Sequence, residues 1–389
     1  MDFNALRLKY HGDPLKMDEI LQAECRHKCA RKLPRTLSHD GFRFPSTALA
    51  EMATAEPVAD FHARMIDGAS TVLDMTLGLA IDAFAMSRRG ARLTGIELDP
   101  HAAEVACGNA EALGIDMEII NADSVEWLRN TDRHFDLIFI DPARRDGAGR
   151  HFALADCRPD VTAILPLMME HASRVMIKCS PMIDISRLRA DTSADADIVA
   201  VGTRRECKEL LLTLPGTGST SAVTVDDSGE IAGTNGHNQP EPVFPTPGAY
   251  LLEPFPAVMK AGPSQLLDDR FGTCRIAPST HLYCSASVPG GFPGQAFRII
   301  EVHDFNKRSA SDIARRYGML NVATRNFPLS APQLVKKLGV KEGGDYRLFG
   351  VTVAQNRKIL IITTNDPTDN TPDSAADSSR HQGLHTSLP

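Results

Sequence analysis

Between Thr71 and Ser180 the chain repeats one pattern, a short apolar run rich in β-branched residues followed by a stretch with the composition of a helix. The runs are Thr71–Met75, Arg92–Leu98, Met117–Asn121, Phe135–Asp141 and Arg174–Ser180. Between them lie Leu79–Arg89, Pro100–Leu113, Ser124–Asn130 and Pro159–His171. Strands joined by helices run parallel and are covered on both faces, so the pattern predicts an α/β fold built on a doubly wound, mainly parallel sheet. Asp197–Val201 and Leu210–Leu214 supply the final strands, which extends this domain over residues 69–226.

Three of the runs lead into an acid: Val72-Leu-Asp74-Met-Thr76-Leu-Gly78, Gly95-Ile-Glu97-Leu-Asp99-Pro and Phe135-Asp-Leu-Ile-Phe-Ile-Asp141-Pro-Ala-Arg144-Arg145. The carboxyl ends of parallel strands face the ligand crevice, so these groups are placed for chemistry. A turn and helix start after Asp74 set backbone N–H groups beside a carboxylate. Glu97, at the end of the next strand, suits a ribose, whose two hydroxyls one carboxylate can accept together. Asp123, just past the third strand, suits an adenine amino group, and Leu98 suits the face of the ring. The turn carries one glycine, Gly78, with Ala80 where a dinucleotide fingerprint would place another, so little backbone is open to a pyrophosphate. That disfavours NAD and FAD. A ligand with an amino group and a carboxylate fits the turn better.

These elements resemble the class I S-adenosylmethionine-dependent methyltransferases, whose first motif is D-x-x-x-G followed by an acid at the next strand. The resemblance covers roughly residues 70–215. It implies S-adenosyl-L-methionine as cofactor, with Asp74, Thr76 and Gly78 at the methionine portion, Glu97 at the ribose and Asp123 at the adenine. Asp141 and Pro142 stand where amino-methyltransferases of this kind carry D/N-P-P-Y/F/W, in which the acid and a carbonyl grip an amine and the ring stacks on a flat base. Ala143 and Arg144 depart from that motif: either a guanidinium plane replaces the ring or the target is not flat. Arg144 and Arg145 suit a phosphate, because guanidinium forks bind oxyanions in pairs, or they form a solvated pair or an ion pair with Asp146. Lys178 and Ser180, in Lys178-Cys-Ser180-Pro-Met-Ile-Asp184, either line the same crevice or serve structure, and Glu206-Cys-Lys208-Glu209 has the same two readings. The expected catalytic set is Asp141, Pro142, Arg144, Arg145 and Lys178.

Residues 1–68 read as an N-terminal helical segment in which Ala48–Glu56 is helical and Phe61–Ile66 continues it past a break at Pro57. Residues 227–295 read as a linker and irregular connecting region, Gly-, Asn- and Pro-rich from Asp227 to Pro247, within which Tyr250–Pro254 and His281–Cys284 look extended and Pro254–Leu267 suits a short helix. A small α+β domain follows at 296–363, with strand Phe297–Val302, helices Ser311–Tyr317 and Ala331–Leu338, and strands Tyr346–Val353 and Lys358–Ile362. Residues 364–389 are polar and expected to be disordered. From Ala296 to Thr363 there are 12 Lys and Arg against 5 Asp and Glu, a balance of +7 in a chain whose total is -7. Basic groups track phosphates and exposed rings stack bases, so this segment, with Phe305, Tyr317, Phe327, Tyr346 and Phe349, is a candidate RNA surface. The bland alternative is a solvated face over core rings.

The combination of Asp141-Pro-Ala-Arg-Arg145, Lys178-Cys-Ser-Pro-Met-Ile-Asp184, Glu206-Cys-Lys-Glu-Leu210 and Asn321-Val-Ala-Thr-Arg325-Asn-Phe327-Pro resembles a family of bacterial methyltransferases with a THUMP-like C-terminal domain. That resemblance implies RNA, tRNA or rRNA, as substrate. A small-molecule or protein substrate, and an RNA-binding module without activity, are the competing readings.

Eight cysteines lack the paired spacing of a disulfide scaffold, and reduced thiols in a cytoplasmic protein are expected. Cys25, His27 and Cys29 do not form a metal set, since on a helix the two thiols share a face that His27 does not. No apolar run approaches the roughly 18 residues of a membrane span, and the first residues lack an apolar leader, so neither membrane nor metal is expected. Ser180 has no neighbouring His and acid in the pattern of a nucleophile elbow, which excludes hydrolase chemistry.

Overall fold

The computed structural model describes residues 2–66, 68–144, 153–226, 230–232, 241–262 and 264–365, and the chain divides into two compact units, Met1–Gly233 and Thr234–Pro389. In the first unit, helices α1 (Phe3–Lys9), α2 (Pro14–Cys29), α3 (Thr47–Met52) and α4 (Glu56–Met65) precede the sheet. Its strands are β1 (Thr71–Asp74), β2 (Arg92–Glu97), β3 (Glu118–Asn121), β4 (Phe135–Ile140), β7 (Ala172–Cys179), β8 (Asp197–Gly202), β9 (Cys207–Leu214), β10 (Thr220–Thr224) and β11 (Glu230–Ala232). A separate two-stranded ribbon, β5 (Ala143–Arg144) with β6 (Cys157–Arg158), follows β4. Helices α5 (Ile81–Ser87), α6 (Pro100–Leu113), α7 (Ser124–Arg129), α8 (Val161–His171) and α9 (Ile185–Asp191) make the connections.

The nine strands lie in the order β11-β10-β8-β9-β7-β4-β1-β2-β3, and β9 and β11 run against the others. Because β1 has β2 on one side and β4 on the other, the order turns there, and the crevice opens at the carboxyl ends of these strands. Apolar residues make β4 a central strand, with Leu137, Ile138, Phe139 and Ile140 all buried. Asp99, Asp123, Asp160 and Asp184 each start a helix by accepting first-turn N–H groups, and Gly114 ends α6 in the left-handed conformation. Gly95 lies within β2 where a Cβ would meet Leu77 Cδ1 at 2.6 Å, so its bare backbone lets the loop after β1 fold across β2.

One expectation fails at Pro57. It does not break a helix but sits in the first turn of α4, where its missing N–H has no partner to lose. The chain pauses at Ala53–Ala55 and then enters α4, which carries Phe61, His62 and Ala63 into the core.

The second unit holds β12 (Tyr250–Pro254), α10 (Pro256–Ala261), α11 (Ser264–Phe271), β13 (Cys274–Ala277), β14 (Thr280–Ser285), β15 (Gly294–Asp304), α12 (Lys307–Tyr317), β16 (Met319–Arg325), α13 (Ala331–Leu338), β17 (Lys341–Thr352) and β18 (Lys358–Asn365). Its sheet runs β13-β14-β12-β15-β18-β17-β16, antiparallel except between β16 and β17. Ile313 of α12 and Leu334 and Leu338 of α13 pack with Leu320, Leu348, Leu360 and Ile362 of the sheet. Much of the region expected to be an irregular connection is therefore sheet and helix. The extended stretches expected at Tyr250–Pro254 and His281–Cys284 are β12 and β14, and α10 lies within the stretch suited to a short helix, whereas β13 and the pairing of these strands into one sheet with β15 are not among the expectations. Strand β16, which holds the Asn321–Arg325 motif, is a further strand beyond the three expected in this domain. Strand β18 runs to Asn365, past the expected boundary at 363, and the expected disordered tail from 366 onward lies outside the described residues. Among the described residues no helix is long and apolar enough to cross a membrane.

Candidate active site

Strand β1 delivers Asp74 to the crevice 2% exposed, with the Thr76 N–H donating to its Oδ1 at 3.0 Å. The turn that follows is stitched on both sides. Met75 N–H donates to Phe139 O at 3.0 Å and Leu77 N–H donates to Ile96 O at 3.0 Å. Gly78 and Ala80 both have positive φ, at 53° and 61°, so the departure from glycine at Ala80 keeps the turn at the expense of strain. Gly78 N–H donates to Glu97 Oε2 at 2.8 Å, while Asp99 N–H donates to Oε1 at 2.9 Å. Asn121 Nδ2 donates to the carbonyls of Glu97 and Leu98, which leaves the Leu98 side chain 69% exposed beside them. Asp123 caps α7 through Oδ1, which accepts the N–H groups of Val125 and Glu126.

Burial pushes the Asp74 carboxyl up to about 8 against the pull of the Thr76 N–H, and the carboxylates of Asp82, Asp141 and Glu97 add to the rise. A crevice with this excess of acid favours a cationic ligand. A Cβ built on Gly78 would meet nothing nearer than Leu49 Cδ2 at 3.8 Å, so the glycine there answers to its positive φ rather than to crowding. An exposed leucine beside a ribose-competent acid completes a fit to a cationic nucleoside with an amino-acid tail.

Asp141 follows β4 directly. Its N–H donates to Thr76 Oγ1 at 2.7 Å, so the acid after β4 is tied to the turn after β1. Lys178, on the adjacent strand β7, donates to Asp141 Oδ2 at 2.6 Å and to Thr54 Oγ1 at 2.8 Å, and its Nζ lies 3.8 Å from Glu209 Oε2. Burial pushes Asp141 above its ordinary value while Lys178 pulls it down. Pro142 is buried, and the backbone of Ala143–Arg144 then pairs with Cys157–Arg158. Arg145 lies outside the described residues. Ser180 Oγ accepts the N–H of Met182 and closes a local turn, and Asp184 caps α9.

Three further residues, Thr54, His62 and Asp82, join the site without having been signalled by the strand-end pattern, and they meet Glu209 of the Glu206–Glu209 run there. His62 of α4 is 0% exposed, with Nδ1 2.8 Å from Asp82 Oδ1 and Nε2 bonded to Glu209 Oε1. Asp82 Oδ2 accepts the Thr54 hydroxyl at 2.6 Å. Burial pulls the imidazole down, but Glu209 and Asp82 outweigh it and push His62 up to about 10, so both ring nitrogens carry protons. Burial pushes Asp82 up, yet Lys178, His62 and Thr54 together hold it at about 2. Against burial, Asp141, then Asp82 and Glu209, hold the Lys178 ammonium above its ordinary value. The available sequence signal was polarity in apolar company: Asp82 inside Ile81–Met86, and Glu209 before Leu210-Leu-Leu212. Elsewhere, Cys25 and Cys29 are buried, with thiols directed at the carbonyls of Ser46 and Ala50, and among the described residues no group of His, Cys, Asp and Glu is arranged for a metal.

Residues 60–176 match the family described as conserved hypothetical protein 95, residues 250–293 a ferredoxin-like domain, and residues 294–365 a THUMP domain-like family. The chain is 27% identical over 325 residues to an uncharacterized S-adenosylmethionine-dependent methyltransferase of Mycobacterium tuberculosis (strain H37Rv), a match spanning 81% of this chain and 87% of the relative. It is 35% identical over 81 residues to ribosomal RNA small subunit methyltransferase J of Francisella tularensis subsp. novicida, covering 18% of this chain and 34% of that one. A crystal structure from Porphyromonas gingivalis W83, described as that of a methyltransferase, superposes with a TM-score of 0.82 at 25% identity and covers 94% of both chains. The chain is an S-adenosylmethionine-dependent methyltransferase whose residues 294–365 are similar to a THUMP domain-like family.

Proposed function

We propose that this methyltransferase acts on RNA, tRNA or rRNA, at the Asp141 edge, and that the C-terminal unit assists by binding the same RNA. The observation that carries the catalytic part is the 2.7 Å bond from Asp141 N–H to Thr76 Oγ1, which joins the reaction edge to the cofactor turn. Asp74, Thr76 and Gly78 would hold the methionine portion of S-adenosyl-L-methionine, Glu97 the ribose, and Leu98 with Asp123 the adenine. When bound, that cofactor supplies a methyl carbon on a cationic sulfur, open to in-line displacement. Asp141 orients the attacking group by accepting its N–H or O–H and holds the proton that group gives up. Lys178 occupies Asp141 Oδ2, so the other carboxylate oxygen serves the substrate. Pro142 sets the direction in which the chain leaves the edge, and Arg144 and Arg145 serve as the phosphate contacts.

Support for RNA comes from the second unit. Arg298, Lys307, Arg308, Lys336, Lys337 and Lys341 have no carboxylate within 4 Å among the described residues. Other cations of that segment are already engaged: Arg315 with Asp312, Arg316 with Glu301, Arg325 with Glu253 and Arg357 with Asp304. Phe349 is a core ring, whereas Phe305 is half-buried, with Lys337 Nζ 5.4 Å from its centroid. A groove of about 490 Å³ beside it is lined by Asn306, Lys307, Ala310 and Lys337. The name of the Francisella relative points to the same substrate class.

The test is transfer of labelled methyl from S-adenosylmethionine to RNA extracted from a strain lacking the gene, with protein and small-molecule fractions run in parallel. Label in RNA is expected. Label confined to another fraction would replace RNA as the substrate.

A further inference from the structure

Behind Asp141 the buried side chains close a loop. Lys178 Nζ donates to Thr54 Oγ1 at 2.8 Å, and Thr54 donates in turn to Asp82 Oδ2 at 2.6 Å. Asp82 Oδ1 accepts from His62 Nδ1 at 2.8 Å, and His62 Nε2 donates to Glu209 Oε1. The other oxygen of Glu209 lies 3.8 Å from Lys178 Nζ, which returns to the start. The five members come from the α3–α4 connection, α4, α5, β7 and β9. Four of these five contacts are hydrogen bonds with a defined donor and acceptor, and the fifth, between Lys178 and Glu209, is an ion pair at 3.8 Å. The threonine hydroxyl has one proton to give and a lone pair to receive the ammonium, and the imidazole satisfies both carboxylates only when doubly protonated.

We propose that this ring of Thr54, Asp82, His62, Glu209 and Lys178 is a positioning device for methyl transfer, which holds the Lys178 ammonium on one oxygen of Asp141 and keeps the other oxygen aimed at the substrate. The inference rests on the reading of Asp141 as the substrate-facing acid. Lys178 is the ring member bonded to Asp141, so it is the branch through which the ring acts. A long lysine side chain alone would sample several rotamers, and a loosened acid would lose alignment with the attacking group. Replacing a buried ion network with apolar residues is often neutral or stabilising, so an ordered ring beside a reaction edge has a stronger rationale in alignment than in stability. His62 and Glu209 are thus positioning residues that act through Lys178. The N-terminal helices become part of the catalytic apparatus, because α4 carries His62 and the residues before it carry Thr54.

The experiment compares wild type with His62→Gln, Thr54→Val, Thr54→Ser and Asp141→Asn, in single-turnover methyl transfer to total RNA from a strain lacking the gene. Calorimetry with S-adenosylmethionine reports folding and cofactor affinity for each. The proposal expects His62→Gln and Thr54→Val to lose at least about tenfold in rate with cofactor affinity and half-saturating RNA within about threefold. Thr54→Ser, which retains the hydroxyl, should restore most of the rate. A readout independent of substrate is the Lys178 ¹⁵Nζ resonance, expected to move in His62→Gln although His62 makes no direct contact with that ammonium. Wild-type rates in both broken-ring variants, or losses confined to cofactor affinity, would overturn the proposal, as would an unmoved Lys178 resonance. If instead Asp141→Asn keeps the full rate, the reading of Asp141 itself fails, and the ring falls with it for that separate reason.

Discussion

Asp74 ionises late because burial and the neighbouring acids push its carboxyl up to about 8, and a cationic cofactor favours the ionised form. Binding below that pH must therefore expel a proton. Affinity for S-adenosylmethionine should rise with pH by up to about tenfold per unit and level off near 8, as titration calorimetry in buffers of different ionisation enthalpy would measure. Asp74→Asn should bind more weakly at pH 9 and lose this pH dependence. His62 shows the linkage of a raised base. Its ordinary value of 6.5 rises to about 10, so its stabilising contribution is complete below 6.5 and is lost as pH climbs from 6.5 through 10. Thermal unfolding should show the wild type losing Tm over that window more steeply than His62→Gln, which should itself be less stable by about 3 kcal/mol at pH 7 because it strands buried carboxylates. The difference between these two residues also explains what a reader of the sequence can see. Asp74, Glu97 and Asp141 stand at the tips of recognisable strands, whereas His62 meets Glu209 across 147 positions and neither has a neighbour that betrays the pairing.

At the scale of elements, legibility follows local signals. Helix α6 matches its expected span, Pro100–Leu113, because Asp99 caps it, Pro100 opens it and Gly114 closes it within the same sixteen or so residues. The central strands β1 and β4 are equally plain, being apolar on both faces, whereas β10 lies past the last strand expected, Leu210–Leu214. Strands β12 and β14 show as extended stretches but their pairing does not, since β12 meets β14 and β15 across some 30 to 48 positions, and β13 carries no such signal. The THUMP-like element makes its own prediction. Lys307 and Arg308 open α12, while Lys336 and Lys337 close α13, and reversing these four to Glu should lower RNA affinity at least tenfold and flatten its salt dependence. Cofactor affinity should stay unchanged. Equal RNA binding by the reversed variant, measured by filter binding across a salt series, would make those charges a solvated face.

For the whole molecule, the proposal divides function between a unit that holds cofactor chemistry and a unit in which several cations have no carboxylate partner among the described residues and suit a polyanion. A truncation at residue 296 would remove most of β15 and leave β12 without that partner, so a separation of the two roles belongs near residue 233 instead. The central claim is that the Asp141 edge methylates RNA. Nucleoside mass spectrometry tests it most directly, on RNA from cells lacking the gene and from the same cells complemented with wild type or with Asp141→Ala. The account predicts one methylated nucleoside missing from the deletion, restored by wild type and not by Asp141→Ala; an unchanged RNA profile in the deletion, or full restoration by the variant, would contradict it.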